Sequence, residues 1–68
     1  MDNLKSILRN NLRAYRVKNG YTQPDVAEKL GVCLSTVKYW ERNPNKMPVE
    51  KLAKLATIYN CTVKDFFL

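Results

Sequence analysis

Apolar residues recur at spacings of three and four along most of the chain, and no β-branched run alternates with period two, so the pattern predicts an all-α protein. Leu4, Leu8, Leu12 and Tyr15 fall on one stripe with Ile7 beside it, while Arg9, Arg13 and Lys18 lie elsewhere. With Asn3 as a cap and Asn19-Gly20 as the stop, the first helix covers about residues 4–18. Thr22-Gln23-Pro24-Asp25 is a capping-box variant with proline in the first turn, where its missing N–H costs nothing. The second helix then runs to about Leu30, buries Val26, Ala27 and Leu30, and closes at Gly31.

Only Gly31-Val32-Cys33 separates that helix from a third, Leu34 to about Arg42. Two short helices joined by a tight glycine-containing turn are the signature of a helix-turn-helix. Asn43-Pro44-Asn45-Lys46 reads as a polar loop, and Pro48 as the first turn of a fourth helix that reaches about Tyr59, with Asn60 as its left-handed terminus. Thr62-Val63-Lys64-Asp65 repeats the capping logic and opens a last turn of helix over Phe66-Phe67-Leu68. No repeat, low-complexity tract or linker interrupts the 68 residues, so residues 1–68 are expected to form one domain. A chain this short buries only about 60% of its unfolded surface, which leaves little room for an enzyme scaffold.

On the third helix Val37 and Trp40 are three apart and are expected to face the core with Val32. Ser35, Lys38, Tyr39 and Arg42 then point outward at i, i+3, i+4 and i+7, with Leu34 at the leading edge. Side chains of these types read base edges, and a leucine suits a thymine methyl. A merely solvated face is the plainer alternative, and the short turn with its preceding helix weighs against it. Thr22 and Gln23 open the second helix, whose free N–H groups and dipole suit a phosphate. Asn43, Asn45 and Lys46 in the loop are either a phosphate contact or solvated.

Twelve Lys and Arg against six Asp and Glu give a formal charge of +6, which favours a polyanionic partner. Residues 1–46 hold nine basic and four acidic side chains, so the positive field sits with the helix-turn-helix. Cys33 and Cys61 are 28 positions apart and histidine is absent, which leaves a structural metal without enough ligands. No cofactor is implied either. Two thiols in so small a domain fit a reduced cytoplasmic compartment better than a disulfide framework. No apolar run approaches the roughly 18 residues of a spanning helix, and Met1 to Ser6 lack the apolar segment of a signal peptide. The sequon-like Asn60-Cys61-Thr62 carries no weight without secretion.

The chain resembles the Cro and lambda-repressor-like helix-turn-helix domains, the XRE family, over nearly its whole length. The carriers are Asn11-Leu12-Arg13 with Arg16 and Gly20, Tyr21-Thr22-Gln23, Val26 through Val32, Ser35-Thr36-Val37, Trp40-Glu41-Arg42, and Leu52 through Phe67. The resemblance implies a compact five-helix domain whose second and third helices form the motif, the third lying in the major groove. It makes Leu34, Ser35, Lys38 and Tyr39 the base-facing set. Gln23 becomes a phosphate contact that braces the recognition helix, with Thr36 and Arg42 as further phosphate contacts. Arg16 and Glu41 take positions that pair as a partly buried salt bridge. Cys33 departs from the usual Ser or Thr cap, and Asn43-Pro44 from the usual glycine after the third helix. Cys33 is expected as a small residue buried in the turn rather than a redox switch.

The reading this supports is a sequence-specific regulator of transcription, a Cro-like repressor of phage or mobile-element type, that binds double-stranded DNA as a weak homodimer on a two-fold operator. Phe66, Phe67 and Leu68 end the chain in succession and are the candidate subunit contact, since a short helix turns at most two of them inward. The alternative is a protein-binding regulator or antitoxin that presents the same face to a protein partner. An enzyme fails for want of histidine, paired carboxylates or a base beside either cysteine, so no small-molecule substrate is expected. A membrane role is weaker still, because no continuous apolar face opposes the basic residues of the first helix.

Overall fold

A computed structural model describes residues 3–68; Met1 and Asp2, at the head of the stretch read for a signal peptide, lie outside the described residues. Four α-helices and two short 3-10 helices account for the regular structure among them, with no strand: α1 (Asn3–Lys18), α2 (Gln23–Leu30), α3 (Leu34–Arg42), a 3-10 turn (Pro44–Lys46), α4 (Val49–Ile58) and a C-terminal 3-10 helix (Val63–Phe67). The fold is thus all-α with four α-helices, and the last turn of helix expected at the chain end is a 3-10 helix. The last element has five residues and closes with i→i+3 bonds, Asp65 N–H to Thr62 O at 3.0 Å and Leu68 N–H to Asp65 O at 3.4 Å, too short a run to propagate an α-helix. The expected polar loop carries a 3-10 turn instead, in which Pro44 is buried and only the flanking polar residues meet solvent.

Local chemistry explains most of the boundaries. Thr22 and Thr62 each accept from the backbone N–H of the aspartate three residues on, and Asp25 and Asp65 each accept the threonine N–H in return at 2.9 Å. Gly20, Gly31 and Asn60 hold left-handed φ of 76°, 72° and 58°, which ends α1, α2 and α4 at low steric cost. Pro48 stands just outside α4 as its cap rather than within the first turn.

The core joins Leu8 and Leu12 of α1 to Val26, Ala27 and Leu30 of α2, Val37 of α3, Leu52, Leu55, Ala56 and Tyr59 around α4, and Phe66. Trp40 and Val32 pack against it while remaining partly exposed. Phe66 has no exposed surface and meets Tyr15 and Tyr59 edge-on, with ring centroids 5.8 and 6.3 Å away. Amide side chains fasten α1 to the C-terminal half: Asn11 donates to Phe66 O at 2.8 Å, and Asn19 to Tyr15 O at 2.7 Å and Tyr59 O at 3.1 Å. The first turn of α1 overhangs this core. Leu4 is 59% exposed and Ile7 is also exposed, so the apolar stripe of α1 is buried only from Leu8 onward.

The capping boxes make the fold acid-sensitive in a defined direction. Backbone and side-chain hydrogen bonds from Thr22 and Thr62 hold the Asp25 and Asp65 carboxyls below their ordinary value of 3.8. Because the folded value is the lower one, the stabilisation is complete above the ordinary value and is lost as pH falls through the depressed one. The melting temperature is expected to hold level near neutrality and drop below about pH 4. The double variant Asp25→Asn, Asp65→Asn should show a smaller acid drop in thermal melts; an unaltered acid limb would place the sensitivity elsewhere.

Candidate nucleic-acid interface

The turn Gly31-Val32-Cys33 sets α3 across α2, with Val32 on the inner side of the turn against the core. Cys33 is therefore exposed, which corrects the expectation of a buried turn residue: only one of two adjacent turn side chains points inward, and Val32 takes that place. Its thiol makes no cap hydrogen bond. The Cys33 carbonyl alone anchors the first turn, accepting from Thr36 and Val37 N–H at 3.1 and 3.2 Å.

With Val37 buried on the inner side of α3, Ser35, Lys38, Tyr39 and Arg42 are exposed, and Leu34 and Thr36 are half-buried at the edges. The orientation of α3 is tied to its neighbours by one polar network. Arg16 Nε lies 2.6 Å from Glu41 Oε2, the two side chains being 13% and 15% exposed. The other carboxylate oxygen of Glu41 accepts from Gln23 Nε2 at 3.0 Å, and the Arg16 guanidinium also donates to Tyr21 O at 3.0 Å. One carboxylate thus connects α1, α2 and α3, and both of its oxygens are used. The amide of Gln23 keeps a second N–H for another acceptor.

Thr22 is exposed at the start of α2, with its hydroxyl oxygen accepting in the capping box and its hydroxyl proton left to donate outward. Asn43 closes α3: its Nδ2 donates to Tyr39 O at 3.3 Å and its Oδ1 accepts from Lys5 Nζ at 3.5 Å, so the amide serves the helix end first. Lys46 is exposed in the 3-10 turn. Of the three residues at the chain end, Phe66 is withdrawn from the proposed subunit contact because it is a core residue, whereas Phe67 and Leu68 are 39% and 79% exposed. Phe67 borders an apolar groove with Leu4, Leu8, Pro44, Met47 and Leu52.

A second feature was not anticipated from the sequence. Between α1 and α3 opens a cleft of about 500 Å³ whose walls include Arg9 and Arg13 from one helix and Lys38 and Arg42 from the other, with Arg16, Glu41 and Gln23 also lining it. Arg9 and Arg13, like Lys38 and Arg42, are like-charge pairs at i, i+4, an arrangement that costs a helix about 0.2–0.5 kcal/mol. The signal lay in the spacing of Arg9, Arg13 and Arg16 at i, i+4 and i+7, but only the packing of α1 on α3 shows that this row faces the recognition helix. Among the described residues, no group of potential metal ligands occurs and no helix is long and apolar enough to cross a membrane.

An exposed polar helix, a three-residue turn and a supporting helix capped by Thr22 together form a helix-turn-helix, the architecture of a DNA-binding domain. The chain belongs to the helix-turn-helix family, whose pattern matches residues 12–66, in its XRE form. It is similar to an uncharacterised HTH-type transcriptional regulator of Archaeoglobus fulgidus, 30% identical over 61 residues that cover 90% of this chain and 87% of the relative. A second such regulator, from Methanocaldococcus jannaschii, is also 30% identical over 61 residues, covering 90% and 92% of the two chains. No solved structure matches the chain.

Proposed function

We propose that this chain is a Cro-like repressor, a single domain that binds a two-fold DNA operator as a homodimer in a reducing cytoplasm and represses by occlusion. The observation that carries the reading is the exposed row Ser35, Lys38, Tyr39 and Arg42 on a helix held in place by the Arg16, Glu41 and Gln23 network. Leu34, Ser35, Lys38 and Tyr39 read base edges in the major groove, and Thr22, Gln23, Thr36, Arg42, Asn43 and Lys46 contact phosphates. The archaeal relatives, themselves HTH-type transcriptional regulators by name, support the regulatory role. Exposed Phe67 and Leu68 supply the subunit contact, a small patch that makes a weak dimer in the absence of DNA.

Selection from random duplexes, followed by titration on the selected and a scrambled duplex at two salt concentrations, tests this reading. Affinity should fall steeply with salt, by a slope of about 0.9 for each phosphate contacted. Lys38→Ala should relax base preference at one position in each half-site, whereas Arg42→Ala should weaken every duplex alike. Equal, salt-insensitive binding to both duplexes would overturn the reading and turn attention to a protein partner for the same face.

A further inference from the structure

We infer that the cleft between α1 and α3 is a clamp for the DNA sugar-phosphate backbone, in which Arg9 and Arg13 of α1 act together with Arg42 of α3. The inference rests on the duplex-binding reading and adds α1 to the contact surface. Five cations and one carboxylate line the cleft, leaving a formal charge of +4 there out of +6 for the chain. The carboxylate is already spent, since Arg16 occupies one oxygen of Glu41 and Gln23 the other. Arg16 is spent as well, on Glu41 and on Tyr21 O. Among the described residues, Arg9, Arg13, Lys38 and Arg42 have no ion-pair partner.

Four cations facing one open cleft repel one another in the folded protein and gain nothing from it internally, which is the arrangement expected where an external polyanion supplies the counter-charge. The shape suits a strand rather than a point anion. Arg9 and Arg13 continue along α1 from Arg16, a row of about 10 Å at 1.5 Å per residue. Gln23, at the N-terminus of α2, lines the same cleft, so the phosphate contact proposed for it and the α1 arginines lie along one continuous wall. Arginine presents a planar fork of donors that matches phosphate oxygens. With α3 in the major groove, the backbone strand bordering that groove would run through the cleft, gripped from α3 on one side and α1 on the other.

The test compares the wild-type chain with the double variants Arg9→Gln, Arg13→Gln and Arg9→Lys, Arg13→Lys, and with Lys54→Gln, Lys64→Gln, which removes the same charge outside the cleft. Each is titrated by fluorescence anisotropy on a selected duplex and on a mixed-sequence duplex between 50 and 200 mM salt, after circular dichroism has checked the fold. The glutamine pair should lower the slope of log affinity against log salt by about 1.8 on both duplexes, with the preference for the selected one unchanged. The lysine pair should keep the wild-type slope, and the control pair should alter it far less, because neither Lys54 nor Lys64 lines the cleft. A wild-type slope in the glutamine pair, or an equal loss in the control pair, would overturn the clamp and leave the DNA reading standing. Absence of duplex binding by the wild type would overturn both. Should the double glutamine variant fail to fold, Arg9→Gln alone decides, with an expected loss of about 0.9 in slope.

Discussion

Glu41→Ala is expected to lower stability by about 3 kcal/mol, the low end of the range for breaking a buried pair because both partners keep a little exposure. The loss is large because the carboxylate is shared. Without it Arg16 keeps a charge only 13% exposed, and Gln23 loses the acceptor at 3.0 Å that orients its amide. A domain of this length has only about 3–10 kcal/mol of stability in total. The melting temperature should therefore fall by about 12 °C or more. Glu28→Ala, on the exposed face of α2, should cost less than about 0.5 kcal/mol. The combination Arg16→Met, Glu41→Leu should recover part of the loss, since no charge is then stranded. Thermal melts decide the matter: similar curves for Glu41→Ala and Glu28→Ala would mean that the pair is solvated and contributes nothing.

The shared position of Glu41 also bears on binding. A weakened Gln23 brace should reduce affinity for every duplex more than base preference, because the amide lies at the proposed phosphate contact rather than at the base-facing row. That separates its effect from Lys38→Ala.

Local codes made much of this legible in the sequence. The capping boxes at Thr22 and Thr62, Gly31 at the end of α2 and the left-handed Asn60 act within a few residues of where they are written, and each element boundary near them falls where the sequence puts it. The inward and outward faces of α2 and α3 follow from helical spacing in the same way. What depended on packing between distant segments was not legible. The five-residue end of the chain has the cap of an α-helix but not the length to propagate one. Leu4 has the right spacing for the core, yet the core ends below it. Cys33 faces solvent because Val32, its neighbour, takes the inner side of the turn. Arg9 and Arg13 look like ordinary solvated residues along α1 until that helix is laid beside α3.

The adjacent residues Phe66 and Phe67 should part company under substitution. Phe66→Ala removes a ring with no exposed surface from between Tyr15 and Tyr59, and a core Phe→Ala change costs about 3–5 kcal/mol, comparable to the whole stability of so short a domain. The variant should be largely unfolded at room temperature by circular dichroism. Phe67 is 39% exposed beside the groove that Leu4 and Met47 also line, so Phe67→Ala should leave the melting temperature within a few degrees of the wild type. Its effect should appear in assembly instead. If Phe67 and Leu68 make the subunit contact, sedimentation of Phe67→Ala across a wide concentration range should show a monomer where the wild type begins to associate, and two subunits should load on a symmetric operator with reduced cooperativity. Wild-type association with a fully cooperative Phe67→Ala would move the contact away from the chain end, and one wild-type subunit per symmetric operator would refute the dimer itself.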